Sequence, residues 1–129
     1  MTATASGAQV PDYPRVPQNA TVVPHTAGVT LTVSDMFKIH TNTGDTDAQV
    51  NVMPAAADCA GCVFGFRNCI AFIVTFDPAS ATEKLYVHGD GVANKHAIIA
   101  AVAGHYVEWY SDGVNWILSH DNGLVTKEG

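Results

Sequence analysis

The chain has 129 residues, six of them basic and twelve acidic, for a formal charge of −6. That length predicts one domain able to bury a core without disulfide staples or a structural metal. The charge pattern excludes a nucleic-acid footprint and an anionic membrane surface, because Arg15, Lys38, Arg67, Lys84, Lys95 and Lys127 are scattered over an acidic chain.

Residues 1–28 read as an extended arm. Met1 to Gly7 has neither the basic nor the apolar region of a signal peptide, and no later run reaches the ~18 apolar residues of a membrane span. The expectation is a protein made in a cytoplasm. Pro11, Pro14, Pro17 and Pro24 fix φ and remove backbone donors, so a helix or a central strand is ruled out here. The arm either hangs free or becomes ordered on a partner. Tyr13, Arg15, Val16, Val22 and Val23 would give it a grip. Asp12 and Arg15 cancel, so the negative charge rests on residues 29–129.

From Val29 onward, short alternating runs predict half-buried strands. Val29/Leu31/Val33, Phe37/Ile39, Val50/Val52, Phe64/Phe66, Leu85/Val87 and Val107/Trp109 are such runs, and Trp116 to Leu118 closes the set. Ala55–Ala60 has room for one helical turn. Ala93–Val102 has helical propensity, but its paired isoleucines and nearby glycines favour a buried strand. A strand over Ile70–Phe76 is apolar on both faces, which marks Ala71 and Ile73 as candidate oligomer-interface residues. Breakers at roughly 8–12-residue spacing separate the runs, the pattern of an antiparallel β-sandwich or jelly-roll-like domain over residues 29–129. Ser111-Asp-Gly-Val-Asn115 predicts a hairpin that pairs Tyr106–Tyr110 with Asn115–Ser119.

Chemistry-bearing motifs are sparse. Cys59-Ala-Gly-Cys62 offers half a zinc site or a redox pair, but neither Cys69 nor the six histidines add a second pair at ligand spacing. Small packing thiols, kept reduced, are the expectation, and no metal or other cofactor is assigned. His88-Gly-Asp-Gly91 reads as a turn before it reads as an acid–base site. A nucleophile elbow, a phosphate-binding loop, a zinc-protease helix and a calcium loop are all missing, so no catalytic residue is assigned. Trp109 and Trp116 read as packing before they read as a sugar platform.

Three stretches carry a resemblance: Val50-Asn-Val-Met-Pro54-Ala, Gly61-Cys-Val-Phe-Gly-Phe66-Arg-Asn68 and Gly104 to Trp116 with its Ser111-Asp-Gly-Val-Asn-Trp turn. In order and spacing they resemble a small β domain of tailed-bacteriophage virion proteins. In that group a Leu-Pro-Ala-like motif, a Gly-x-x-Phe-x-Phe-x-Asn strand and a Ser-Asp-Gly-x-Asn-Trp hairpin follow one another. Met53 stands where leucine is usual. The resemblance spans about residues 29–120. It implies a non-enzymatic, commonly trimeric module of a decoration (cement) protein, head fibre or tail fibre. The chain lacks the coiled coils and repeats of a long fibre, so decoration is the first expectation: a homotrimer on the outside of the virion, with arms gripping the major capsid protein. The alternative is a fibre-tip module that binds a host receptor or glycan through Tyr106, Tyr110 or the Gly89–Asn94 loop.

Overall fold

The computed structural model describes residues 13–123 and 125–127. The protein is an all-β sandwich. A six-stranded sheet has the order β1 (Val22–Pro24), β2 (Ile39–Thr41), β4 (Val63–Asn68), β8 (His105–Ser111), β9 (Trp116–Asp121), β6 (Leu85–Tyr86). Against it lies a four-stranded sheet in the order β10 (Val125–Lys127), β7 (Ala97–Ile99), β5 (Val74–Asp77), β3 (Gln49–Val52). Short 3-10 turns occupy Val33–Asp35 and Ala56–Cys59.

The core is an aromatic lattice between the sheets. Phe76 of β5 meets Phe66 at 5.5 Å, Trp109 at 5.8 Å and Phe64 at 6.2 Å between ring centroids, and Trp116 meets Phe64 at 5.6 Å. All five side chains are buried. Each large apolar side chain taken out of water contributes about 1.5–3 kcal/mol. Both tryptophans are therefore packing residues and offer no sugar platform.

Pairing is mixed, where the breaker spacing predicts an antiparallel sandwich. The pairs β1/β2, β2/β4, β3/β5 and β6/β9 run parallel, while β4/β8, β8/β9, β5/β7 and β7/β10 run antiparallel. From β2 to β8 the chain changes sheet at every connection. A strand that leaves a sheet and returns through one strand of the other can come back pointing the same way. This happens between β2 and β4, and between β3 and β5. The hairpin is as expected: Tyr110 pairs with Ile117 and Ser111 with Trp116. Its turn is held by Asp112 Oδ1, which accepts the N–H groups of Val114 (2.9 Å) and Asn115 (2.8 Å), while Gly113 takes φ +93°.

The stretches that carried the resemblance come together in one corner. Trp116 Nε1–H donates to the Pro54 carbonyl (2.9 Å) and the Ser111 hydroxyl to that of Ala56 (2.7 Å). Gly61 N–H donates to Ser111 O (2.9 Å) and Ser111 N–H to Cys62 O (3.0 Å). These residue types are required by the knot they tie, independently of any chemistry.

Two sequence expectations need correction. The Val29/Leu31/Val33 run is not a strand: Thr30 makes a single bridge to Val52 and the chain then turns at Val33–Asp35. The Asp35 carboxylate accepts the Thr32 N–H at 2.8 Å, which stabilises that turn. The strand drawn over Ile70–Phe76 starts only at Val74. Buried Asn42 and Asn68 take over the backbone groups ahead of it. Asn42 Oδ1 accepts the N–H groups of Cys69 (2.7 Å) and Ile70 (3.1 Å), and Asn68 Nδ2 donates to Phe72 O (2.8 Å) and Ala100 O (3.0 Å). Ala71 therefore sits in a bend and Ile73 at the mouth of β5, so the two-faced-strand argument does not hold for them.

Candidate functional site

Two surfaces gather the residues singled out by the sequence. The first is the outer face of the six-stranded sheet, where the N-terminal segment docks. Residues 1–12 of the expected arm lie outside the described residues. From Tyr13 onward the segment is laid on the domain, with Val22 and Val23 in β1 at the sheet edge, the position proline tolerates.

The anchor is Glu108 of β8, whose side chain is only 3 % exposed. Arg15 reaches it with Nε at 2.7 Å and Nη2 at 3.3 Å, the Tyr106 hydroxyl donates at 2.7 Å, and the Val16 N–H adds a 3.4 Å contact. Burial opposes ionisation of Glu108. The hydrogen bonds from Arg15 and Tyr106, the Arg15 charge and the Val16 N–H outweigh it, so the carboxyl sits below the ordinary carboxylate range. Burial first, and then the bond to Glu108, push the Tyr106 phenol up. Gly65 makes room: a Cβ there would stand 2.5 Å from the Tyr106 hydroxyl. Tyr13 completes the docking with its ring 5.5 Å from that of Tyr110.

A second clasp holds β1. His25 N–H continues the β1/β2 pairing by donating to Thr41 O at 2.8 Å. His40 is buried, and its Nε2 lies 2.8 Å from the Asp35 carbonyl. A carbonyl only accepts, so His40 Nε2 carries the proton. His40 Nδ1 lies 2.9 Å from His25 Nε2, so the two rings share one hydrogen bond. Burial, and then the neighbouring His40, hold the His25 pKa below its ordinary value against the opposing charge of Asp35.

The second surface is the outer face of the four-stranded sheet. The register places Val50, Thr75, Ile98 and Thr126 in one row across all four strands. None carries a charge, and Val50 (51 %) and the flanking Ile73 (46 %) are strongly exposed. Charge returns at one end, where His96 Nδ1 lies 3.4 Å from Asp77 Oδ1. Ala71 is exposed in the adjoining bend. The face thus includes Ile73, although for a different reason than the sequence suggested.

The remaining motifs resolve as structure. Cys59 is buried in the core, and burial, followed by the nearby Cys62, Asp58 and Glu83, pushes its thiol up to about 11. Cys59, Cys62 and Cys69 are free thiols. Among the described residues no group of three His, Cys, Asp or Glu side chains could hold a metal ion. His88 (φ 52°) and Gly89 (φ 85°) form a tight turn in which Val87 and Asp90 exchange N–H···O bonds of 3.0 and 2.9 Å. Tyr106 and Tyr110, expected as free aromatics, are engaged by Glu108 and Tyr13.

Sequence reasoning missed Glu108, His25/His40 and Asn42/Asn68. A carboxylate flanked at i−2 and i+2 by tyrosines on one strand face was a usable signal for the first. The others join residues 15 and 26 positions apart and have no local signature.

No protein-family model, curated protein or solved structure matches this chain.

Proposed function

We propose that the chain is a non-enzymatic structural protein of a bacteriophage virion, a capsid decoration protein that sits on the outer shell as an oligomer and ties neighbouring capsid subunits together. The observation that carries this reading is the uncharged row Val50–Thr75–Ile98–Thr126 on a chain of net charge −6. Copies of such a chain repel one another over most of their surface. They approach without penalty through this face, with Ile73 and Ala71 at its margin. The ordered motifs that resemble phage β domains supply the context, and their trimeric habit supplies the stoichiometry.

The N-terminal segment contacts the major capsid protein in this reading. Val22, 58 % exposed, is available for that contact as it stands. Tyr13, Arg15 and Val16 are engaged on their own sheet and reach a shell only after release from Glu108.

Light scattering tests the proposal. The expected mass is three times the 13.6 kDa of the chain. Ile73→Asp should shift it to the monomer, because a charge would be buried without a partner, whereas Lys84→Glu should leave it unchanged. Co-sedimentation with shells of the major capsid protein tests the decoration step. A wild-type monomer that ignores shells would refute the reading.

A further inference from the structure

We propose that the groove where β6, β9 and the docked N-terminal segment meet is a binding site for a neutral saccharide. This goes beyond the assembly reading and does not depend on it. The groove holds about 500 Å³, within the range of roughly 300–1,000 Å³ typical of small-molecule sites. Ile117, Leu118 and the half-buried Tyr86 and Tyr13 line it, with Leu118 also packed against the core. Tyr86 stands opposite Ile117 in register, and its ring occupies the space that a side chain at Gly91 would need.

Two polar residues of the β8–β9 turn line the groove, each with one half of its side chain locked. Asp112 Oδ1 is committed to the N–H groups of Val114 and Asn115, and Asn115 Oδ1 accepts the Lys84 N–H at 2.9 Å. Those bonds fix both planes. They leave the Asp112 Oδ2 acceptor and the Asn115 Nδ2 donor unused by the described residues. A fixed donor and acceptor beside aromatic and aliphatic surface match a ligand with hydroxyls along one edge and C–H groups on its face.

Other ligand classes fit poorly. No lysine or arginine is among the described lining residues, and Asp112 adds negative charge, which disfavours phosphates and nucleotides. The main-chain edge beside β6 is taken by the Lys84–Ala93 and Val87–Asp90 bridges, which leaves no free ladder for a peptide strand. Tyr13 belongs to the segment that Arg15 anchors on Glu108, which couples docking of that segment to saccharide binding in this proposal.

The test is saturation-transfer NMR on the full chain with maltotriose, cellotriose and chitotriose as neutral probes and glucose 6-phosphate as the charged contrast. At least one neutral probe should receive saturation on its ring protons. Titration should move amide signals at 86–89 and 112–118. Tyr86→Ala should weaken binding about tenfold or more and Arg15→Ala several-fold, while Thr46→Ala in the exposed β2–β3 connection should change nothing. The proposal is overturned by silence from all three neutral probes, by tighter binding of glucose 6-phosphate, or by shifts confined to other residues. The wild-type shift map keeps the test decisive even if Tyr86→Ala fails to fold.

Discussion

Replacing Asn68 by alanine should be among the most damaging single changes outside the aromatic core. Its side chain is buried, accepts from Asn42 Nδ2 at 2.7 Å, and donates to the carbonyls of Phe72 and Ala100 at 2.8 and 3.0 Å. Alanine removes all three bonds. Asn42 keeps its bond to Ile70 O at 3.1 Å, but two carbonyls lose their side-chain donor. At about 1–3 kcal/mol per stranded group, with a small cavity added, the loss is roughly 3–5 kcal/mol. A domain of this kind is stable by about 5–15 kcal/mol, so the variant should survive with a much lower denaturation midpoint. Urea unfolding followed by circular dichroism measures the loss at equilibrium. Asn68 also pins the bend that carries Ala71 and Ile73, so in the proposed assembly the variant should self-associate less than its residual stability alone would give. A loss below about 1 kcal/mol would mean that water replaces the amide, and the account of why β5 starts late would fall with it.

The docked segment yields two further expectations. Arg15→Ala leaves Glu108 with the Tyr106 and Val16 donors alone. With Arg15 largely solvent-exposed, the stability cost should be only about 1–2 kcal/mol. The clearer effect should be faster proteolysis between Tyr13 and Val22, and equal cleavage of both proteins would count against the anchor. Acid should loosen the same region through His25, whose pKa in the folded state is depressed. The unfolded state then binds more protons, so this contribution is fully present above about pH 6.5, declines as pH falls, and levels off below the folded value. His25→Gln should flatten that part of the stability–pH curve, and an unchanged slope would clear the histidine pair of any part in it.

The sequence made the all-β class legible because alternation and turn residues act locally. The β8–β9 hairpin needed only Asp112 and Gly113, and the strand at Ala97–Ile99 needed only isoleucines bounded by breakers. Strand pairing was not legible, because nothing within a short run says that its neighbour lies two connections away in the same sheet. Asn68 read as the end of a motif, while its role depends on Asn42, 26 positions upstream. Within the described residues 13–28, the proline-rich character and the lack of a helix were legible. The docking of this segment was not, since Arg15 and Glu108 stand 93 positions apart.

The stitching of the chain between the two sheets also bears on how the protein is made and how it fails. Among the named strand pairs of the described residues, the β8–β9 hairpin alone joins neighbouring segments; every other pair must wait for a distant one. Folding is therefore expected to be slow for the chain's size, with the C-terminal hairpin as its natural seed. The same weave resists piecemeal loss. The terminal strands β1 and β10 sit on the edges of different sheets and can peel away singly. The strands from β2 to β8 share every connection with the opposite layer, so neither sheet can open without undoing the other. Under mechanical load, that topology places the yielding points at β1 and β10 and keeps the strands between them intact.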